Sequence, residues 1–109
     1  MRNIGLTENE IAEVISYISE NPKIKKAVVY GSRAKGNYKT FSDVDLTLMG
    51  DNLDYSDLSR LEDKLYYSYL PYIFDISIFD KLKNTNLIVH IRRMGVIIFD
   101  SGDQQKRRS

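Results

Sequence analysis

AVVYGSRAKGNYKTFSDVDLTL, the stretch from Ala27 to Leu48, decides the predicted fold of this chain. Its opening residues are mostly β-branched or aromatic, and they predict a buried strand over Ala27–Tyr30 that runs into a glycine turn. The polar residues from Gly31 to Ser42 predict a loop that opens with a helical turn. The alternation that follows predicts a second strand over Asp43–Met49, with one apolar and one polar face. These two strands form the centre of the predicted domain.

Hydrophobic periodicity predicts five further elements around this stretch. On the N-terminal side, Thr7 and Glu10 have the capping-box pattern, and apolar residues at helical spacing predict a helix that ends at Asn21-Pro22. On the C-terminal side we expect a helix over Tyr55–Leu70, a strand over Tyr72–Phe79, a helix over Thr85–Arg93 and a strand over Val96–Phe99. The predicted fold class is α/β (α+β): a small mixed β-sheet with helices packed on one face, in the order α-β-β-α-β-α-β.

Length and composition indicate one domain and exclude several kinds of site. The 109 residues, 42% of them hydrophobic, suffice for a single core over residues 1–101, and we expect residues 102–109 to form a disordered, polar and basic tail. Sixteen basic against fifteen acidic residues leave a net charge of +1, which is no strong nucleic-acid signal. No cysteine and a single histidine exclude disulfides, thiolate zinc sites and multi-histidine metal sites. Without a signal-like or membrane-spanning apolar run, we expect a cytoplasmic protein with no membrane contact.

Three aspartates are the candidate metal ligands. Alternation places Asp43 and Asp45 on the polar face of one predicted strand, about 6.5 Å apart, and Asp75 on the polar face of another. Like charges about 6 Å apart repel by about 3 kcal/mol at an effective dielectric of 20. A bound cation would offset this repulsion among the three aspartates. Carboxylates with open positions suit Mg²⁺, and two such ions can support an in-line displacement at phosphorus. The Asp-x-Asp pattern on its own could also belong to a solvated edge strand without a functional role. Asp75 favours the metal-binding interpretation, because an acidic residue inside an apolar segment is costly to bury unpaired.

Gly31-Ser32 is the candidate phosphate-binding turn. Glycine allows a close backbone approach, and the serine adds a hydroxyl. Gly31 and Gly36 have the spacing of a Walker A loop, but Asn37-Tyr38 stand where that motif requires Lys-Ser/Thr. The P-loop interpretation is therefore rejected.

The spacing of the turn and the aspartates resembles a known family. Gly31-Ser32, ten intervening residues and Asp43-Val44-Asp45 resemble the signature of the nucleotidyltransferase superfamily that includes DNA polymerase β. The fuller strings YGSRAKG and FSDVDL are similar to its minimal nucleotidyltransferase (MNT) branch. The resemblance implies that Gly31 and Ser32 hold the triphosphate of ATP, the donor, and that Asp43 and Asp45 bind two Mg²⁺ ions. It also implies that Asp75 is the third metal ligand and acts on the acceptor hydroxyl. Arg33 is placed for a phosphate contact or for a surface role.

The family also suggests an acceptor. Many MNT proteins are antitoxins encoded beside a HEPN-domain ribonuclease, and the resemblance implies transfer of AMP to a tyrosine of that toxin within a hetero-oligomer. Two alternatives stay open: modification of an aminoglycoside-like small molecule or a nucleic-acid end, and neutralisation of the toxin by binding alone. Four tyrosines lie close together in the sequence, at Tyr66, Tyr67, Tyr69 and Tyr72, and a protein interface is one interpretation of this cluster. We favour the other, in which Tyr66 and Tyr69 pack on the sheet. We expect His90 on a helix surface, without a catalytic role.

Overall fold

The computed structural model describes residues 3–102. Its elements are α1 (Glu8–Ser19), β1 (Ile24–Tyr30), α2 (Ser32–Lys35), β2 (Val44–Gly50), α3 (Tyr55–Tyr66), β3 (Phe74–Ile78), a 3₁₀ helix (Phe79–Lys81), α4 (Thr85–Met94) and β4 (Val96–Asp100). The predicted order is confirmed, with α2 as the expected helical turn and the 3₁₀ helix as an addition. The predicted disordered tail lies, beyond Gly102, outside the described residues. No helix within the described range is long and apolar enough to cross a membrane.

The four strands form one mixed sheet, as predicted, in the order β3-β2-β1-β4. β1 lies at the centre and pairs antiparallel with both β2 and β4, whereas β2 and β3 pair in parallel. Parallel neighbours need a crossover, and α3 supplies it between β2 and β3. The start of the parallel pair is tied by the Val44 N–H, which donates to the Ile73 carbonyl at 2.9 Å.

Helices cover both faces of the sheet, so the prediction of helices on one face is wrong. The first face packs under α1 and α3, in a core that includes Val14, Ile18, Ala27, Val29, Leu46, Leu48, Leu61, Leu65, Ile76 and Ile78. Val28 and Tyr30 point to the second face, where they pack with Phe79 and with Ile91 of α4. These large side chains would otherwise be exposed to water, which explains why α4 covers this face.

Local capping sets the helix starts. The Thr7 hydroxyl accepts from the Glu10 N–H at 3.1 Å and the Glu10 carboxylate accepts from the Thr7 N–H at 2.8 Å, so the predicted capping box is confirmed. Asp54 and Asp57 form a second capping box at the start of α3.

The predicted end of the third helix, and the packing of its tyrosines, are wrong. α3 ends at Tyr66, four residues before Leu70, and the chain then turns towards β3. Leu65 is the last buried residue of α3, and the next core contacts of the chain come from Leu70 and Tyr72, which lie beyond the helix. Tyr66 is 80% exposed and Tyr69 fully exposed; neither packs on the sheet as we expected.

Candidate active site

A row of three side chains crosses the second face of the sheet. Tyr30 on β1 is opposite Asp45 on β2, and Asp45 is opposite Asp75 on β3. The residues next to the two aspartates, Leu46 and Ile76, belong to the core on the other face, so both carboxylates point to the same side. Neighbouring strands lie about 4.8 Å apart, which makes Asp45 and Asp75 direct neighbours. The structure therefore brings together two of the three predicted ligands through strand register alone.

Asp43 joins this pair from the loop that leads into β2. It is exposed and stands just before the first residue of the strand. Burial, followed by the charges of Asp75 and Asp43, raises the pKa of Asp45. Asp43 and Asp75 are thus both close enough to act on Asp45.

The negative charge of this carboxylate group is not neutralised by the surrounding protein. In the described part of the chain, the ion pairs join Lys23 to Asp57 and Lys64 to Glu20, and none involves Asp43, Asp45 or Asp75. Carboxylates that lie together without a basic partner favour the binding of a cation.

Gly31 holds the predicted phosphate-binding turn against Asp45. Its backbone has φ 75° and ψ −149°, a conformation open almost only to glycine. A Cβ at this position would collide with Oδ2 of Asp45. The turn is therefore in contact with the Asp45 carboxylate, and any larger residue at position 31 would disturb both.

His90 is the residue that sequence reasoning missed. Its Nε2 accepts a hydrogen bond from the Gly31 N–H at 2.9 Å, and its ring lies edge-on to Tyr30 with centroids 6.2 Å apart. Because Nε2 is the acceptor, the proton of the neutral imidazole is assigned to Nδ1. Gly31 and His90 are 59 positions apart in the sequence, so no local pattern indicates this contact. The only hint is that His90 flanks Ile91, which faces the sheet.

Arg33 lies neither at a phosphate site nor on the surface. The side chain is 1% exposed and donates to the carbonyls of Ser42 (2.7 and 3.2 Å), Thr40 (3.2 Å) and Ile4 (2.9 Å). Its guanidinium also lies over the ring of Tyr38, 5.0 Å from the centroid. A buried guanidinium needs acceptors for its N–H groups, and the backbone provides them here. Arg33 therefore fastens the loop that precedes Asp43, which corrects the expected phosphate contact.

A row of hydroxyl groups lies beside the carboxylates on the same face. Thr47 and Ser77 lie two residues further along β2 and β3, and the Ser77 hydroxyl donates a hydrogen bond to Thr47 Oγ1 at 2.9 Å. Burial raises the pKa of Tyr30, while its hydrogen bond with Ser77 lowers it. The hydroxyl groups of Thr47, Ser77 and Tyr30 thus bond to one another and not to the Asp45 or Asp75 carboxylates.

The residues present fit Mg²⁺ in chemistry and location. Carboxylate oxygens are hard ligands, and Asp45 and Asp75 offer them side by side, with no ion pair to either one from residues 3–102. Among residues 3–102, no three acidic or histidine side chains converge into a finished metal-binding group. Shared binding of a cation by all three aspartates therefore requires side-chain rotation, for which the exposed Asp43 has room.

Comparison with known proteins identifies the family. The sequence pattern of the polymerase beta nucleotidyltransferase family matches residues 12–104. A search of curated proteins found no match. Among solved structures, the fold is similar to a toxin–antitoxin complex with AMP-PNP (24% identity, TM-score 0.67, 93% of this chain and 79% of the other). It is also similar to the toxin–antitoxin MntA–HepT (20%, 0.65, 92% and 78%).

A third solved structure adds a chemically modified toxin. It contains a tri-AMPylated Shewanella oneidensis HEPN toxin in complex with MNT antitoxin (21% identity, TM-score 0.59, 91% of this chain and 74% of the other). At these identities the likeness concerns the fold, whereas the family pattern covers the turn, the aspartates and all four strands. The chain belongs to the polymerase β nucleotidyltransferase family.

Proposed function

We propose that this chain is a Mg²⁺-dependent nucleotidyltransferase that transfers AMP from ATP to a tyrosine of a HEPN-domain toxin and thereby acts as its antitoxin. One observation carries the proposal: the Gly31 turn packs against Asp45, which is in register with Asp75. A turn suited to phosphate thus adjoins a pair of carboxylates suited to a cation. The similarity to an MNT antitoxin with an AMPylated HEPN toxin, and to a complex with AMP-PNP, supports the donor and the partner.

Each site residue has a role in this proposal. Gly31 and Ser32 hold the triphosphate, and Asp43, Asp45 and Asp75 hold two Mg²⁺ ions. Bound Mg²⁺ supplies charge neutralisation and stabilises the attacking and leaving oxygens of a phosphoryl displacement. Arg33 acts at a distance from the nucleotide, since it fixes the loop that presents Asp43.

The transfer step is a displacement at the α-phosphorus of ATP. The tyrosine oxygen forms a new P–O bond as the bond between the α-phosphorus and the bridging oxygen breaks. Pyrophosphate leaves with that electron pair. Asp75 orients the hydroxyl and accepts its proton, so the products are AMP-tyrosine and pyrophosphate. The adduct adds bulk and negative charge, which would obstruct RNA in a ribonuclease site.

The position of a radiolabel tests the proposal. The chain is incubated with Mg²⁺ and the protein encoded beside it, using ATP labelled at either the α- or the γ-phosphate. We expect label on the partner from α-labelled ATP alone. Label from γ-labelled ATP would indicate a kinase and contradict the proposal. Label confined to a small molecule or nucleic acid would identify another acceptor class, and toxin neutralisation without label would identify a binding protein.

A further inference from the structure

His90 connects α4 to the turn that adjoins the carboxylates. The Gly31 N–H donates to its Nε2 at 2.9 Å, and the imidazole is half-buried against Tyr30. Gly31 has φ 75° and ψ −149°, a backbone conformation that glycine adopts readily and that other residues rarely adopt. Its Cα lies so close to Asp45 that a Cβ does not fit. A fixed acceptor on the N–H is therefore a direct restraint on the orientation of this turn.

The restraint comes from a well-anchored element. α4 is packed on the sheet through Ile91, the neighbour of His90, and the imidazole lies edge-on to the Tyr30 ring. Tyr30 also immediately precedes Gly31 and is opposite Asp45 on β2. One imidazole thus contacts both the strand that leads into the turn and the turn itself.

We propose that His90 is a positioning residue for the nucleotide: its Nε2 fixes the Gly31–Ser32 turn beside Asp45 in the orientation that receives the triphosphate. This inference rests on the proposed function for the identity of the ligand. His90 acts through the Gly31 backbone and does not itself contact ATP. Its loss should therefore weaken ATP binding more than it slows the transfer step.

Two substitutions separate the acceptor from the bulk of the ring. His90→Phe keeps an aromatic ring against Tyr30 but removes the acceptor. His90→Gln places an acceptor oxygen the same number of bonds from Cβ as Nε2. Val89→Ala, on the exposed neighbour in α4, is the matched control.

The expected result is a split between the two variants. One hydrogen bond corresponds to about a five- to tenfold effect, so His90→Phe should raise the KM for ATP by that factor, with kcat changed less than about twofold. His90→Gln and Val89→Ala should stay within about twofold of the wild type. The Gly31 amide should also exchange with deuterium faster in His90→Phe alone, measured by NMR without nucleotide.

The outcomes distinguish this inference from the proposed function. An unchanged Gly31 exchange rate in His90→Phe, or an equal rise of KM in both His90 variants, would overturn the positioning role while transfer by the wild type stands. Absence of transfer by the wild type, together with faster Gly31 exchange in His90→Phe, would overturn the proposed function and leave the contact itself confirmed.

Discussion

Asp57 is buried and Asp45 is partly buried, and their surroundings shift the pKa values of the two carboxyl groups in opposite directions. Asp57 is 3% exposed and accepts from Lys23 Nζ at 2.6 Å, Asn21 Nδ2 at 2.9 Å and the Asp54 N–H at 2.9 Å. The hydrogen bond from Lys23, followed by that from the Asp54 backbone, holds the pKa of Asp57 well below its usual range. Asp45 has acidic neighbours and forms no ion pair with any residue that the structure describes, and its pKa is raised, above all by burial.

The Asp57 carboxylate therefore stabilises the fold, whereas the Asp45 carboxylate does not. Asp57 joins the start of α3 to the turn before β1, so its charge is offset within the chain. The charge of Asp45 is unfavourable to the isolated domain. An uncompensated acidic group of this kind is expected where a cation or a reacting group binds. Substitutions at the two positions should therefore change different properties.

The largest expected effect is loss of transfer in Asp45→Asn and Asp75→Asn. Each substitution removes a proposed metal ligand, so AMP transfer should fall by about a thousandfold or more, equivalent to about 4 kcal/mol. The free energy of unfolding should stay within about 1 kcal/mol of the wild type or rise slightly, because repulsion between like charges is relieved. Labelling of the partner and urea unfolding measure the two properties.

Asp80→Asn is the control for charge in these experiments, because it removes an exposed carboxylate from the 3₁₀ helix. It should behave as the wild type in both assays. Transfer that persists in both Asp45→Asn and Asp75→Asn would remove the metal role of this pair.

Asp57→Asn should give the reverse pattern. Loss of the charge weakens three hydrogen bonds at a buried position, so the free energy of unfolding should fall by about 2–3 kcal/mol. Transfer per folded molecule should not change. Asp63→Asn, at an exposed position on the same helix, should change neither property. An unchanged free energy of unfolding in Asp57→Asn would contradict the claim that the Asp57 carboxylate stabilises the fold.

The turn glycines offer a smaller, paired test. Gly31 and Gly36 both have positive φ (75° and 87°), but a Cβ meets Asp45 only at Gly31 and open space at Gly36. Gly31→Ala should therefore lower transfer by about a hundredfold and stability by about 1–3 kcal/mol. Gly36→Ala should cost about 1 kcal/mol of backbone strain and leave transfer near normal. Equal losses of transfer would show that strain, and not contact with Asp45, matters.

The smallest expected effect concerns pH. A carboxyl group whose pKa is lowered on folding stabilises the protein above its unfolded pKa of about 4, and this stability is lost as the pH falls below that value. The lowered pKa of Asp57 therefore contributes to acid unfolding, at no more than about 1.4 kcal/mol per pH unit. Urea unfolding between about pH 5 and pH 2 covers the range in which this stability is lost. The free energy of unfolding should decline less steeply with falling pH in Asp57→Asn than in the wild type. An identical slope would contradict the assignment.

Sequence patterns predicted those features of the site that depend on local periodicity. Alternation along the strands placed Asp45 and Asp75 on polar faces opposite Leu46 and Ile76, and the structure confirms these faces. The order of elements was also predicted, because each has its own apolar pattern or cap. The roles of the turn and the aspartates in binding stay predictions, which the variants above test.

Long-range contacts account for what could not be predicted. The Asp45–Asp75 register depends on parallel pairing across α3, and the acceptor for Gly31 comes from His90 on α4. Arg33 is buried because the Ile4 carbonyl, 29 residues away, helps to satisfy it. The cover of the second face by α4 depends on Tyr30 and Val28, which no helical pattern reveals. None of these contacts has a signature within one segment.

Thermal unfolding with Mg²⁺ and a non-hydrolysable ATP analogue tests the central claim most directly. At a ligand concentration of about 100 Kd, binding adds about 2.7 kcal/mol, which should raise the Tm of a domain of this size by about 10–20 °C. We predict this rise for the wild type when both ligands are present and little or none for Asp45→Asn. An unchanged Tm in the wild type, or an equal rise of Tm in Asp45→Asn, would contradict a nucleotide site that depends on the Asp45 and Asp75 carboxylates.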